Sequence, residues 1–280
     1  MENKKKKISI EDVMLFKKKV KVMGLSTVCQ TAKCPNISEC FKKKTVTFLI
    51  LGEFCTRKCS FCAVKKHPPE IIDINEPYKV AMAIKELGIS YNVITSVTRD
   101  DLFDGGANHF AKTINAIRTI LPNNKIEVLV PDFLGNMKLV DVVLNAKPDV
   151  FSHNLETVPD LYSKVRVDAN YIRSLFVLKH AKAAGFVVKT GIMVGFGETE
   201  EQVFRVIKDI KSINVDILTV GQYLAPTKNH YHVVKEYTPE EFKKIENFAI
   251  SVGMKQVISG RYVRSSYLAD ENFKSFIQNN

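Results

Sequence analysis

Residues 45–51 read TVTFLIL, and after three further residues the sequence CTRKCSFC follows at residues 55–62. The first stretch is a continuous apolar run, which is typical of a strand buried on both faces of a parallel sheet. Five more runs of this kind lie at residues 91–97, 126–130, 149–153, 186–194 and 217–223. Segments with helix signals separate them, so the sequence predicts an α/β fold, a partial (β/α)6 barrel of the TIM type. A doubly wound open sheet is the alternative.

Two helix starts between these runs are well marked. Thr199 and Gln202 form a capping-box pattern ahead of an apolar stripe, and Thr238 and Glu241 form another with proline between them. In a barrel, the loop after each strand opens on the face where the carboxyl ends of the strands meet, and chemistry concentrates there. We therefore expect the cysteines of residues 55–62 at the mouth of the barrel.

The predicted barrel spans residues 45–254 and leaves an extension at each end. Residues 1–44 form a lysine-rich N-terminal extension with a second group of cysteines, and residues 255–280 form a C-terminal extension containing RSSY at residues 264–267. The first 44 residues hold twelve lysines against four acidic residues, which accounts for +8 of the total net charge of +11. We expect a solvated lysine-rich extension. The alternative is that its lysines at positions 17–19 and 42–44 attract an acidic partner protein through long-range electrostatic steering.

The remaining composition argues against nucleic-acid and membrane functions. Outside the first 44 residues the charges nearly balance, and aromatic residues are not interleaved with the lysine runs, as a nucleic-acid groove would require. No stretch approaches the roughly 20 apolar residues of a membrane span. The N-terminus has lysines without the apolar core of a secretory signal, so a cytoplasmic location is expected.

All six cysteines fall between positions 29 and 62, in two triplets with the spacings Cys-x4-Cys-x5-Cys and Cys-x3-Cys-x2-Cys. A disulfide framework is disfavoured because such frameworks belong to small secreted domains. Structural zinc is the stronger alternative, but it takes four ligands, and His67 is the only histidine near either triplet. Three thiolates suit a [4Fe–4S] cluster with one iron left open. The pattern therefore favours two clusters that face one cavity.

The second triplet, with an aromatic residue before its last cysteine, resembles the signature of radical S-adenosylmethionine (radical SAM) enzymes. The resemblance implies that Cys55, Cys59 and Cys62 hold a [4Fe–4S] cluster whose open iron chelates the amino and carboxylate groups of the cofactor. Phe61 is then expected near the adenine. The resemblance also implies that the predicted barrel is of the radical SAM type.

Further motifs are similar to those of the lipoyl synthase family. They are the first triplet, TSVTRDDLFDGGA at residues 95–107, HNLETVP at 153–159, GIMVGFGE at 191–198, GQYLAPT at 221–227 and RSSY at 264–267. The resemblance covers roughly residues 20–270. It implies a radical sulfurtransferase that inserts sulfur at C6 and C8 of an octanoyl chain on a carrier-protein lysine. Another radical SAM sulfur-insertion or methylthiotransfer enzyme is the alternative, and a non-catalytic metal-bearing interaction module is a third reading.

The resemblance also implies site residues and partners. An auxiliary [4Fe–4S] cluster that supplies the sulfur would be held by Cys29, Cys34, Cys40 and a serine of RSSY. Ser266 is favoured over Ser265, although nothing in the sequence separates them. The expected partners are octanoylated lipoyl carrier domains (2-oxoacid dehydrogenase E2 subunits and the glycine cleavage H protein), an electron donor such as flavodoxin or ferredoxin, and an iron–sulfur carrier that rebuilds the cluster.

Cofactor contacts are predicted at the end of the run at residues 149–153. Asn154 and Glu156 follow this strand and can hydrogen-bond the ribose or the methionyl amine. Arg166 can pair with a carboxylate through its planar fork. A helix cap for Asn154 and surface ion pairs for Glu156 and Arg166 are the alternatives.

Overall fold

The computed structural model describes residue 14, residues 18–32 and residues 34–279. Most of the predicted N-terminal extension before residue 18, including Lys17, lies outside the described residues. Lys18 and Lys19, in a helical segment at residues 18–22, are exposed, as are the lysines at positions 42–44. The predicted attraction of an acidic partner to these lysines stays a prediction.

One eight-stranded sheet organises the described residues, with its strands in chain order. The strands are β1 Ser26–Thr27, β2 Val46–Ile50, β3 Tyr91–Ser96, β4 Lys125–Leu129, β5 Val150–Ser152, β6 Val187–Val194, β7 Ile217–Gln222 and β8 Gln256–Gly260. Strand β1 is antiparallel to β2, and all later neighbours are parallel. The six predicted runs are strands β2 to β7, which confirms the barrel prediction. The sequential order is that of a partial barrel, and the described strands leave it open between β1 and β8.

Helices connect the strands. They are α1 Val28–Thr31, α2 Ile37–Lys42, α3 Glu76–Leu87, α4 Ala107–Ile120, α5 Met137–Asn145, α6 Tyr162–Val165, α7 Tyr171–Ala183, α8 Glu200–Ser212, α9 Pro239–Ser251 and α10 Ala269–Asn279. Both predicted capping boxes are present, Thr199 with Gln202 at α8 and Thr238 with Glu241 at α9. Each box satisfies two backbone N–H groups that the first helical turn leaves without a partner.

The strand register divides the sheet into two unlike faces. Phe48, Ile94 and Val128 lie side by side on the outer face of the sheet. They belong to the main hydrophobic core, between the sheet and the helices. Thr47, Val93 and Glu127 are aligned on the inner face. The outer face therefore supplies most of the hydrophobic stabilisation. The inner face is left free to hold polar side chains and a site.

Strand β8 was not predicted. Its sequence, QVISG, has only two apolar residues in a row, and all five residues are half-buried. A periodicity criterion therefore misses it, and only pairing with β7 defines it as a strand. It lies within the predicted C-terminal extension, so the sheet continues past residue 254. The division of the chain into three segments stays a prediction.

Among the described residues, no helix is both long enough and apolar enough to cross a membrane.

Candidate functional site

The loop of residues 55–62 follows β2 and is tied to its neighbours by backbone hydrogen bonds. The Cys55 N–H donates to the carbonyl of Lys65 at 3.0 Å, and the Thr56 N–H donates to the carbonyl of Thr98 at 3.0 Å. The Ser60 N–H donates to the carbonyl of Val165, also at 3.0 Å. The loop therefore spans from the end of β3 to the end of α6. This places the second cysteine triplet at the carboxyl edge of the sheet, as predicted.

A buried ion network, centred on Arg57 of the loop itself, anchors this loop to the barrel. Arg57 donates from Nε and Nη2 to the carboxylate of Asp100 at 2.7 and 3.0 Å, and from Nη2 to Asp132 Oδ1 at 2.6 Å. The second oxygen of Asp132 accepts from Arg173 Nε of α7 at 2.7 Å. Burial alone would raise the pKa of Asp132, but the hydrogen bond and charge of Arg57 outweigh it and hold that pKa below its ordinary value. The network thus pins the cysteine loop to three barrel elements.

The three cysteines of this loop are half-buried. Burial raises the pKa of Cys59 to about 11, against the opposing influence of Arg166. Burial also raises the pKa of Cys62 to about 12, and charges on Cys59 and Cys55 add to the effect. The Cys62 N–H also donates to the carbonyl of Cys59 at 3.3 Å, so these two residues are close neighbours in the loop. Half-buried thiols in one short loop suit a metal cluster, whose positive charge makes the thiolate form favourable.

Two of the predicted cofactor residues meet at the end of β5. Asn154 Nδ2 donates to Glu156 Oε1 at 3.1 Å. Glu156 adopts a left-handed φ of 68° and pairs through its backbone with Gly191 and Met193 of β6. Asn154 Oδ1 is buried and accepts no hydrogen bond from any described residue. A buried acceptor without a partner is costly, so this oxygen is available for a donor on a bound molecule.

Arg166 lies beside these residues. It is buried directly after α6, and its Nη1 donates to Tyr162 Oη at 3.2 Å and to Ser174 Oγ at 3.1 Å. Burial raises the pKa of Glu156, and the charge of Arg166 opposes that rise. The surface ion pair considered for Arg166 is thus absent among its described contacts. Burial works against its charged form, but the charges of Tyr162, Glu156 and Cys59 keep the pKa of Arg166 above its ordinary value.

Phe61 packs into an aromatic cluster at the edge of this region. Its ring stands edge-on to Phe196 with the centroids 6.2 Å apart, and Phe196 stacks on Tyr223 at 4.3 Å. Phe196 lies in the loop after β6, where Glu198 accepts from the N–H groups of Gly195 and Phe196 at 2.6 and 2.9 Å. The cluster forms an apolar wall against which a planar ring can pack.

The first cysteine triplet gathers at a separate pocket. Cys29 lies in α1, Cys40 in α2 and Cys34 between them, and the three line one pocket with Thr47 and Ser266. The other lining residues are Asn36, Ile37, Thr45, Arg264 and Tyr267. Burial raises the pKa of Cys40 to about 12, and charges on Cys29 and Cys34 raise it further. The structure therefore brings together all four residues predicted for the auxiliary site.

The structure distinguishes the two serines of RSSY, which the sequence alone could not do. Ser266 Oγ accepts from Thr47 Oγ1 at 2.8 Å inside the pocket of the first triplet. Ser265 Oγ accepts from Asn154 Nδ2 at 2.7 Å, in the region of the predicted cofactor contacts. Arg264 also lines the pocket, and no carboxylate among the described residues pairs with it. Three thiols, a hydroxyl and an unpaired cation fit a negatively charged iron–sulfur cluster.

Sequence reasoning missed the ion network around Arg57. It gave no role to Arg57, which lies inside the cysteine loop. In the structure Asp100 pairs with Arg57, whereas Arg99 pairs with Asp101 at 2.8 Å. The two loops are 43 positions apart in sequence, so no local signal links them. A basic residue inside a cysteine loop, combined with acidic residues after neighbouring strands, was the only available hint.

Other known proteins resemble the chain over nearly its full length. The radical SAM superfamily model matches residues 49–210. A relative from Caldicellulosiruptor saccharolyticus named lipoyl synthase is 54% identical over 268 residues, which is 95% of this chain and 93% of the relative. Another lipoyl synthase, from Caldanaerobacter subterraneus subsp. tengcongensis, is 52% identical over 95% of this chain and 94% of its own length.

A solved structure supports the fold alone. Methylornithine synthase superposes with a TM-score of 0.57 at 15% sequence identity and covers 99% of this chain and 88% of its own length. The family model, which covers more than half of the chain, confirms the radical SAM fold and the [4Fe–4S] cluster and S-adenosylmethionine that this family uses. Sequence identity of more than 50% to two lipoyl synthases over nearly the whole chain narrows the assignment from the superfamily to one family within it. The chain belongs to the radical SAM superfamily and, within it, to the lipoyl synthase family.

Proposed function

We propose that the chain inserts two sulfur atoms, at C6 and C8, into an octanoyl chain that is amide-linked to a lysine of a lipoyl carrier domain. The observation that carries this proposal is the pair of cysteine sites on one barrel, bridged by the RSSY segment. Ser266 lies in the pocket of the first triplet, while its neighbour Ser265 contacts Asn154 in the cofactor region. Hydrogen removal and sulfur donation require two such sites within reach of one substrate carbon.

The proposed ligands divide into two sets. Cys55, Cys59 and Cys62 would hold the cluster that supplies the electron for cleavage of S-adenosylmethionine. The auxiliary cluster that supplies sulfur would be held by Cys29, Cys34, Cys40 and Ser266. A serine oxygen binds iron less well than a thiolate does, so Ser266 can release its iron when this cluster is dismantled.

The remaining site residues bind and orient the cofactor. Asn154 offers its unpartnered Oδ1 to an amine or hydroxyl donor, and Glu156 offers a carboxylate beside it. Arg166 supplies a buried cation for the methionyl carboxylate. Phe61 and Phe196 form the apolar wall that excludes water from the adenine side.

The partners follow from this activity. The substrates would be octanoylated lipoyl carrier domains, namely 2-oxoacid dehydrogenase E2 subunits and the glycine cleavage H protein. A flavodoxin or ferredoxin would deliver electrons, and an iron–sulfur carrier protein would rebuild the auxiliary cluster. All six cysteines are free thiols, which agrees with a reducing compartment such as the cytoplasm.

The test compares one cysteine from each triplet. The reconstituted protein should contain about eight irons and eight sulfides, as two cubanes require. Cys59→Ala should abolish the reductive cleavage of S-adenosylmethionine, because the radical cluster loses a ligand. Cys34→Ala should retain cleavage but give no sulfur-containing product. The measurements are deoxyadenosine formation and the mass of an octanoyl-lysine peptide, which gains two sulfurs only with the unmodified protein.

Two results would contradict the proposal. Lipoyl product from Cys34→Ala would refute the sulfur-donor role of the first triplet. Zinc without sulfide in the purified protein would refute the cluster assignment for both sites.

A further inference from the structure

The two adjacent serines of the RSSY segment face different sites. Ser266 Oγ accepts from Thr47 in the pocket of the first triplet at 2.8 Å, and Ser265 Oγ accepts from Asn154 Nδ2 at 2.7 Å. Both serines are half-buried. A single dipeptide therefore contacts the proposed auxiliary site and the proposed cofactor site at once.

Two glycines allow this segment to lie on the inner face of the sheet. A Cβ atom at Gly191 of β6 would stand only 3.0 Å from both Asn154 Oδ1 and Ser265 Oγ. A Cβ atom at Gly221 of β7 would stand 2.1 Å from the carbonyl oxygen of Val263, a distance that no real contact shows. Close approach of one backbone to another is a position where glycine is needed. The absence of side chains at these two positions lets residues 263–265 reach Asn154.

The same segment is fastened to the helices that carry the first triplet. Asn36 Nδ2 donates to the carbonyl of Tyr262 at 2.6 Å, and Tyr267 Oη donates to Glu39 at 3.1 Å. Residues 262–267 thus have contacts with α2 on one side and with β5 and β6 on the other. Movement of this segment changes both sites together.

The hydrogen bond from Asn154 to Ser265 also determines how the amide is oriented. Nδ2 donates to Ser265 Oγ and to Glu156 Oε1, so both of its hydrogens are used. This leaves Oδ1 as the atom without a described partner. Without the serine hydroxyl, the amide has one anchor fewer and can rotate about its last side-chain bond.

We propose that Ser265 is a positioning residue that couples cofactor binding at Asn154 to the auxiliary site. The inference rests on the proposed function for the identity of the cofactor, S-adenosylmethionine. Ser265 holds Asn154 Oδ1 toward an amine or hydroxyl donor of that molecule. Because coupling between two sites is reciprocal, cofactor binding in turn tightens residues 262–267 and therefore the surroundings of Ser266.

The test uses Ser265→Ala in the cluster-loaded protein. Iron and sulfide content should be unchanged, since Ser265 does not line the auxiliary pocket. The Kd for S-adenosylmethionine should rise about three- to tenfold, which is the effect of one lost hydrogen bond of ordinary strength. In the unmodified protein the cofactor should slow amide hydrogen exchange in residues 262–267, and the variant should lose most of that protection.

Ser259→Ala is the matched control. Ser259 lies in β8 and donates to the carbonyl of Phe242, away from Asn154, so its removal should leave both cofactor affinity and exchange unchanged. Two outcomes overturn the inference. One is unchanged affinity and exchange in Ser265→Ala, and the other is loss of auxiliary iron from that variant, which would make Ser265 a ligand. If the unmodified protein transfers no sulfur, the proposed function fails, but the binding and exchange measurements still decide the coupling.

Discussion

The two cysteine sites are built in different ways. The loop of residues 55–62 is anchored by a buried ion pair. Arg57 of the loop is buried, and the side chain of its partner Asp132 is fully buried. The pocket of the first triplet is closed by single hydrogen bonds, each with at least one partner that is half-buried or exposed, such as the bond from Tyr267 to Glu39. Its walls come from segments more than 200 positions apart in sequence, α1 and α2 on one side and the RSSY segment on the other.

This difference agrees with the roles proposed for the two clusters. A cluster that survives every turnover benefits from ligands held by a network whose parts cannot separate without exposing buried charge. A cluster that is consumed and rebuilt needs surrounding segments that can move apart at a small cost in free energy. Exposed polar contacts contribute little to stability, so the bonds that hold residues 262–267 against α2 can open at a small free-energy cost.

The largest effect is expected from Asp132→Asn. This change removes the negative charge that joins Arg57 to Arg173, and among the described residues it leaves the buried guanidinium of Arg57 with Asp100 as its only anionic partner. Breaking a buried ion pair costs about 3–5 kcal/mol. We therefore expect the free energy of unfolding to fall by roughly that amount, together with loss of iron from the second triplet. Urea unfolding and iron analysis measure the two effects.

Glu39→Gln is the matched change on the other side of the comparison. It neutralises a half-exposed carboxylate beside the first triplet and keeps an acceptor for Tyr267. A stability loss as large as that of Asp132→Asn would remove the contrast between the sites.

A second, smaller effect concerns pH. Burial lowers the pKa of His153 to about 3, Arg166 and Arg57 also oppose its protonation, and Asp132 and the carbonyl of Val130 favour it. An unfolded histidine titrates near 6.5, so the unfolded chain binds the extra proton as pH falls below that value. The stabilisation from the neutral histidine is complete above pH 6.5. It should decline by about 2 kcal/mol between pH 7.5 and pH 5.

His153→Gln isolates this contribution. The variant is less stable at every pH, but its free energy of unfolding should depend less on pH over this interval. The measurement is urea unfolding of both proteins at pH 7.5 and pH 5. Parallel pH dependence in the two proteins would show that His153 does not titrate between them on unfolding.

Sequence reasoning recovered the fold more completely than the site. Strands β2 to β7 were visible because each is a continuous apolar run, and two helix starts were visible from their capping boxes. The convergence of Cys29, Cys34 and Cys40 with Ser266 followed from a family resemblance, since no local pattern relates segments more than 220 positions apart. The opposite orientations of Ser265 and Ser266 depend on the bare backbone at Gly191 and Gly221, which only the three-dimensional arrangement reveals.

The smallest effect is expected from Tyr267→Phe, at the pocket of the first triplet. The change removes the hydrogen bond from Tyr267 Oη to Glu39 and keeps the aromatic ring. Because both groups are partly exposed, water replaces the lost partner, and the free energy of unfolding should fall by less than about 1 kcal/mol. The functional consequence should be larger than the structural one, since this bond holds the RSSY segment against α2. We expect faster loss of iron from the auxiliary site on exposure to a chelator, with the iron of the second triplet unaffected. Equal rates of iron loss from the variant and the unmodified protein would show that the pocket walls do not open at this bond.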